Sequence, residues 1–133
     1  MTNASTPAPP DGNDSALPVA LAYHRAWTGQ DFEQAMTYID QHIVCDAPPG
    51  RLEGADAFRA FMGPFAGIAT GSRLVAAFGD ADQAVVMYDT ATRAVPDAPG
   101  AEYVTVAGGR ITYMRIIFDR LPFENARRAA APA

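Results

Sequence analysis

Three aspartates end or interrupt apolar runs: Asp46 in HIVCDAPPG, Asp89 in VVMYDTA and Asp119 in GRITYMRIIFDRLPF. A carboxylate so placed either marks where a strand meets water or is the working group of a pocket. The structural readings differ residue by residue. Asp46 would open a turn by bonding its own backbone two residues on. Asp89 sits in mid-strand, where an unsatisfied acid costs on the order of several kcal/mol, so Arg93 or Arg115 would have to hold it. Asp119 would simply stop its strand. The chemical reading places all three around one dry cavity. Burial disfavours the charged form and neighbouring acids resist ionising together, so one pKa rises by ~1–3 units. Such a group trades protons near neutral pH, typically worth ~10²–10⁴ in rate.

Other chemistries find less support. His24 lies on a predicted helix and His42 begins a predicted strand, so two histidines so placed do not suggest a metal site. The serines fall in the N-terminal stretch and at Ser72, with no Gly-x-Ser-x-Gly elbow for a hydrolase nucleophile. GDAD and GADA lack the glycine spacing that cradles phosphate. Cys45 is the sole cysteine, which rules out an internal disulfide and reads as a small buried hydrophobe on a strand.

The 133 residues suit one domain, with 49% hydrophobic and 19% charged residues. Net charge is −5 and the basic residues are scattered, so no basic stripe marks a nucleic-acid partner. No run approaches the ~18 apolar residues of a membrane span. The start, MTNASTPAPPDGNDS, has neither a basic region nor an apolar run, so a cytoplasmic location is expected.

The elements that must position the acids follow from spacing. Residues 1–14 are small, polar and proline-rich and read as a disordered tail. A domain is expected over 15–126, with 127–133 frayed. The first helix, SALPVALAYHRAWTG, carries Pro18 in its first turn and Gly29 at its end. Its Val19, Tyr23, Ala26 and Trp27 share one face. Asp31 caps a second helix, FEQAMTYI, and HIVCDA follows as a strand. A third helix, EGADAFRAFMGPFAG, aligns Phe58, Phe61, Met62 and Phe65. Then come four strand-length segments, SRLVAAFGD, QAVVMYDTATRAV, AEYVTVAGG and RITYMRIIFD, whose short links imply antiparallel hairpins. Three N-terminal helices on a curved, mainly antiparallel sheet make an α+β cone, a cystatin-like roll.

That order, with AYHRAWTGQD, CDAPPGRLEGADAFRAFM and GGRITYMRIIFD, resembles the nuclear transport factor 2-like superfamily over most of residues 16–125. Its members include SnoaL-like polyketide cyclases, ketosteroid isomerase and limonene-1,2-epoxide hydrolase. The resemblance implies a cone with an apolar pocket at its wide end and a homodimer as the usual assembly. By analogy with ketosteroid isomerase, Asp46 matches the general base and Tyr23, eight residues before Asp31, matches the oxyanion donor. Glu102 falls near that enzyme's protonated second donor. By analogy with the epoxide hydrolase, Asp119 and Asp89 match its two aspartates. Met87, however, stands in place of its arginine, Val44 in place of a tyrosine and Asp46 in place of an asparagine.

The expectation is thus a pocket for a small hydrophobic molecule, with Asp46, Tyr23, Asp119 and Asp89 as catalytic candidates. Trp27, Phe61, Phe65, Met87, Met114 and Phe118 would form its wall beside Glu102. Acid/base isomerisation or cyclisation without a cofactor or metal is the leading reaction class. A non-catalytic ligand-binding module and an altered epoxide hydrolase are the alternatives. Parity in the last strand separates Thr112, Met114, Ile116 and Phe118 from Ile111, Tyr113, Arg115, Ile117 and Asp119. A late β-bulge would bring Asp119 into the cavity with the first set. Without one, Tyr113 and Arg115 lie on the outer face of the sheet.

Overall fold

The computed structural model describes residues 15–131. Within them the chain forms helices α1 (Ala16–Thr28), α2 (Phe32–Met36), α3 (Ala55–Ile68) and α4 (Leu121–Ala130). The strands are β1 (Ile39–Ala47), β2 (Gly50–Glu53), β3 (Ala69–Gly79), β4 (Gln83–Thr92), β5 (Ala98–Ala107) and β6 (Arg110–Phe118). They make one sheet in the order β2-β1-β6-β5-β4-β3. Only the β1–β6 pairing is parallel; every other neighbour is antiparallel. The expected α+β architecture, helices on a curved and mostly antiparallel sheet, is the one found.

Each helix buries the stripe its spacing dictates. In α1, Ala16, Val19, Ala20, Tyr23, His24 and Trp27 are buried, and the Gly29 N–H closes the helix on the Arg25 carbonyl. In α3, Phe58, Met62 and Ala66 recur every fourth residue and are buried, while Pro64 takes a solvent-facing position. Asp31 caps α2 by accepting the Gln34 N–H. Gln30 is left-handed (φ 67°), and its side-chain amide donates to the Ala69 carbonyl at 2.6 Å, tying this corner to β3.

Three elements depart from expectation. Residues Gly50–Glu53, read as turn and helix start, form β2, a short edge strand held by β1. The second helix ends at Met36, and Ile39 already belongs to β1, because Ile39 pairs with Ile111 of β6. Residues Arg127–Ala130, expected to be frayed, are the last turns of α4. The tail 1–14 lies outside the described residues.

The sheet has two distinct faces. Inward go Cys45 of β1, Val86, Tyr88 and Thr90 of β4, Glu102 and Val104 of β5, and Met114 and Ile116 of β6. Outward go Val85 and Met87 of β4, Ile117 of β6 and Phe78 of β3, all substantially exposed. The one register shift between β5 and β6 falls at Thr112, between the pairs Thr105–Tyr113 and Val106–Ile111. It lets Ile111 and Met114 both point inward. There is no bulge late in β6, so the outward parity of Tyr113, Arg115 and Ile117 carries through to Asp119. Among the described residues no helix is long and apolar enough to cross a membrane.

Candidate functional site

A cavity of ≈ 290 Å³ lies between α3, the β5–β6 end of the sheet and α4. Phe61 and Phe65 of α3 and Phe118 of β6 form its aromatic wall, and Phe123 of α4 closes over them. The rings of Phe65 and Phe118 stack 6.2 Å apart. Tyr88 and Gly100 form part of the sheet-side wall. Arg120, Glu124 and Arg127 stand along α4.

Tyr88 is fixed from three sides. Its ring lies 4.7 Å from His24 and 5.8 Å from Trp27, centroid to centroid. Across the sheet its register partner is Gly100, where a Cβ would stand 3.3 Å from the Tyr88 ring. A glycine at that position therefore gives the ring its seat. From this seat the Tyr88 hydroxyl donates a 2.9 Å hydrogen bond to Glu102 Oε2.

Glu102 is 2% exposed, and its cross-strand neighbours are Val86 and Ile116. Burial among apolar groups pushes its carboxyl up to about 7, and the Tyr88 hydrogen bond pulls only partly against this. At neutral pH the group divides between its acid and its anion. Burial, helped by the Glu102 charge, also raises Tyr88 and Tyr23 well above ordinary phenols, so both stay protonated donors.

The predicted catalytic residues do not assemble. Tyr23 is fully buried near Glu102, and its hydroxyl has no hydrogen-bond partner among the described residues. Asp46 points the opposite way from Cys45, onto the outer face. There it accepts from Arg51 Nε and Nη2 at 2.9 and 3.0 Å and from the Tyr113 hydroxyl at 2.6 Å. These hydrogen bonds, Arg51 first, hold its carboxyl down at about 2, so it stays ionised. Asp89 is also on the outer face, paired with Arg73 rather than with Arg93 or Arg115. Asp119 is exposed and accepts the Leu121 N–H at 3.0 Å, a turn that starts α4. The expected meeting of three aspartates is replaced by three separately satisfied carboxylates outside the cavity.

Of the predicted wall, Phe61, Phe65 and Phe118 line the cavity. Trp27 is fully buried among Phe65, Tyr88 and His24 rings, behind the wall. Met114 is fully buried in the core. Met87 is 48% exposed on the outer face, which corrects its place in the wall. Sequence reasoning chose Met87 and Asp89 and missed Tyr88 between them. The available signal was alternation: Ala84, Val86 and Tyr88 share one parity, and Gln83 and Asp89 mark the other as wet. Arg120 and Phe123 were missed because no element was assigned to the segment after Asp119.

His24 is buried against Tyr88, with its Nε2 3.4 Å from the Ser72 hydroxyl and its Nδ1 unpartnered among the described residues. Burial, with Arg25 nearby, lowers it to about 4, so it is neutral at physiological pH. Among the described residues no cluster of His, Cys, Asp and Glu is arranged to hold a metal ion.

This chain and this fold have relatives. The SnoaL-like domain family profile matches residues 20–114. A crystal structure of a protein from Kribbella flavida DSM 17836 is 63% identical, covering 86% of this chain and 95% of that one, with TM-score 0.84. An NTF2-like protein of unknown function from Cytophaga hutchinsonii ATCC 33406 shares the fold at 17% identity and TM-score 0.66, covering 80% of this chain and 91% of that one. A de novo designed protein with a curved β-sheet reaches TM-score 0.73 at 12% identity, over 91% of this chain and 96% of that one. No curated protein matches the sequence. With a profile that spans most of the chain and a relative 63% identical over 86% of it, the chain belongs to the SnoaL-like domain family.

Proposed function

We propose that this protein binds a small hydrophobic molecule carrying a carbonyl and exchanges a proton with it, as a cofactor-independent isomerase or cyclase. One observation carries the reading: a fully buried carboxyl, held near neutrality, is hydrogen-bonded to a tyrosine that opens onto an aromatic cavity. In its anionic form Glu102 takes the Tyr88 proton while the Tyr88 oxygen takes a proton from the ligand carbon beside the carbonyl, which leaves the ligand as its enolate. In its acid form Glu102 returns the proton through Tyr88 to a carbon of that enolate, which restores the carbonyl and the Glu102 anion. Tyr88 stays neutral at both ends of the transfer, which its raised pKa favours. The dry, ring-lined surroundings strengthen each hydrogen bond in the chain.

The test is solvent deuterium exchange at the carbon next to the carbonyl, on a panel of cyclic ketones. Wild-type protein should catalyse it and Glu102→Gln should not. Equal rates in the two would remove Glu102 from the chemistry.

A second reading, a binding module without catalysis, is favoured by the aspartates. Asp46, Asp89 and Asp119 each have their own guanidinium or backbone donor, as structural carboxylates do. Tight ligand binding with no exchange in wild-type protein would select it. Epoxide hydrolysis loses support, since neither of its matched aspartates faces the cavity.

The same proposal includes a homodimer in the cytoplasm. Phe78, Val85, Met87 and Ile117 form an exposed apolar area on the outer sheet face, continued by register through Ala101 and Tyr103. Such a contiguous patch suits a partner of the same kind. Sedimentation of wild type against Ile117→Glu tests it, with a shift from dimer to monomer expected.

A further inference from the structure

The pocket-facing residues at α4 are its N-cap Arg120 and, within the helix, Phe123, Glu124 and Arg127, spaced by three, one and three as one helical stripe requires. A helix that served only to plug the cavity would turn an apolar stripe inward. This one turns a single aromatic ring and three charged groups, and it buries no residue fully. The charges do not cancel. Glu124 accepts from Arg127 one turn along, while the Arg120 guanidinium makes no ion pair or hydrogen bond among the described residues. The cavity thus runs from an aromatic wall at Phe61, Phe65 and Phe118 to an unneutralised guanidinium at its mouth.

An apolar ketone alone would leave that guanidinium unused. We infer that the ligand is amphipathic, with a compact apolar body inside the ≈ 290 Å³ cavity and a carboxylate at the mouth on Arg120. The guanidinium fork matches a carboxylate in two parallel hydrogen bonds and fixes direction as well as position. The inference rests on the proton-exchange reading, because anchoring the carboxylate at the mouth turns the far end of the ligand, and its carbonyl, toward Tyr88. The cavity volume, ≈ 290 Å³, lies just below the ~300–1,000 Å³ typical of small-molecule sites, which suits a body of one or two rings. Arg120 would then be the residue that sets ligand class, acting by position and charge rather than by proton transfer.

The probes are a keto-cyclohexane carboxylate and its uncharged methyl ester, titrated calorimetrically into the full chain. Wild type should prefer the carboxylate by about two- to fivefold, within the range of a solvent-accessible charge pair. The preference should shrink as salt rises. Arg120→Gln should close the gap by weakening the carboxylate, Arg120→Lys should restore part of it, and Arg128→Gln, an exposed arginine outside the cavity lining, should leave the gap in place. A wild-type preference for the ester, equal affinities, no binding of either probe, or a gap that survives Arg120→Gln would each overturn the inference. The proton-exchange reading fails by a different measurement: exchange retained in Glu102→Gln, whatever the affinity gap.

Discussion

The Tyr88 hydroxyl stands 2.9 Å from Glu102 Oε2, joining a residue that faces the cavity to a carboxyl that has lost its water. The two lie one register step apart on adjacent strands, since Tyr88 pairs with Gly100 and Val86 with Glu102. Only inward parity on both strands allows that diagonal contact. The pair therefore depends on the β4–β5 register, and a slip of one residue would put the two side chains on opposite faces of the sheet.

Glu102 makes stability depend on pH in an unusual direction. Its folded pKa, about 7, lies above its ordinary value of 4.5, so the fold prefers the protonated form. That contribution is fully present below 4.5 and is lost as pH rises through 7, on the order of 3 kcal/mol in all. His24 works the other way. Its folded value of about 4 lies below 6.5, so its contribution is present above 6.5 and fades as pH falls toward 4. Between about 4.5 and 6.5 the two slopes oppose. Glu102→Gln should unmask the histidine, so that denaturation midpoints rise with pH across that window where wild type is nearly flat. A variant curve parallel to wild type would overturn the assignment.

Tyr88→Phe separates donor from ring. The Tyr88 hydrogen bond lowers the Glu102 pKa, so removing it should raise that pKa further. The acid limb of the exchange-rate profile should move to higher pH, with the maximum rate reduced by about 10²-fold or more. The aromatic contacts to His24 and Trp27 survive the change, so the fold should persist at a cost of about 1–3 kcal/mol. An unshifted profile would show that the hydroxyl does not communicate with Glu102.

Much of the fold was legible because its signals are periodic and local. The α1 and α3 stripes, the hairpin turns and the four-strand meander each repeat a simple pattern that burial then obeys. The site was less legible because it depends on parity, which one extra residue can invert. At β6 the extra residue falls at Thr112, early in the strand, and everything after it keeps Asp119 outward. At β1 the buried Cys45 and the paired Asp46 differ by a single position. Tyr88 and Glu102 lie far apart in the chain, and nothing short of the β4–β5 register joins them. Glu102 was reachable from family resemblance, and Tyr88 from strand alternation alone.

Cys45 offers a chemical test of that β1 parity. Its thiol is fully buried, and burial, with Glu102 and Asp46 nearby, pushes its pKa up to about 12. Thiolate is the reactive form, so the folded protein should resist a disulfide reagent at neutral pH. Labelling should instead follow global unfolding, accelerating with denaturant. Fast stoichiometric labelling in native buffer would mean that β1 presents Cys45 to solvent.

Helix α4 shapes the site without holding the fold together, and paired substitutions separate those roles. Phe123 lies 6.0 Å from the Phe65 ring and 5.7 Å from Phe118, yet α4 contributes no fully buried residue. Phe58, by contrast, is fully buried on α3 and touches Tyr23 across 6.3 Å. Truncating a ring costs stability in proportion to the packed space it leaves, about 3–5 kcal/mol for a fully buried phenylalanine. Phe58→Ala should therefore lower the unfolding free energy by about that amount. Phe123→Ala should cost only about 1 kcal/mol, because water can occupy the space it vacates at the cavity mouth. Its effect should fall on binding, weakening an apolar probe by about tenfold through lost ring contact and a wetter cavity. Equal stability losses in the two variants would place α4 in the core and take away its role as the cover of the pocket.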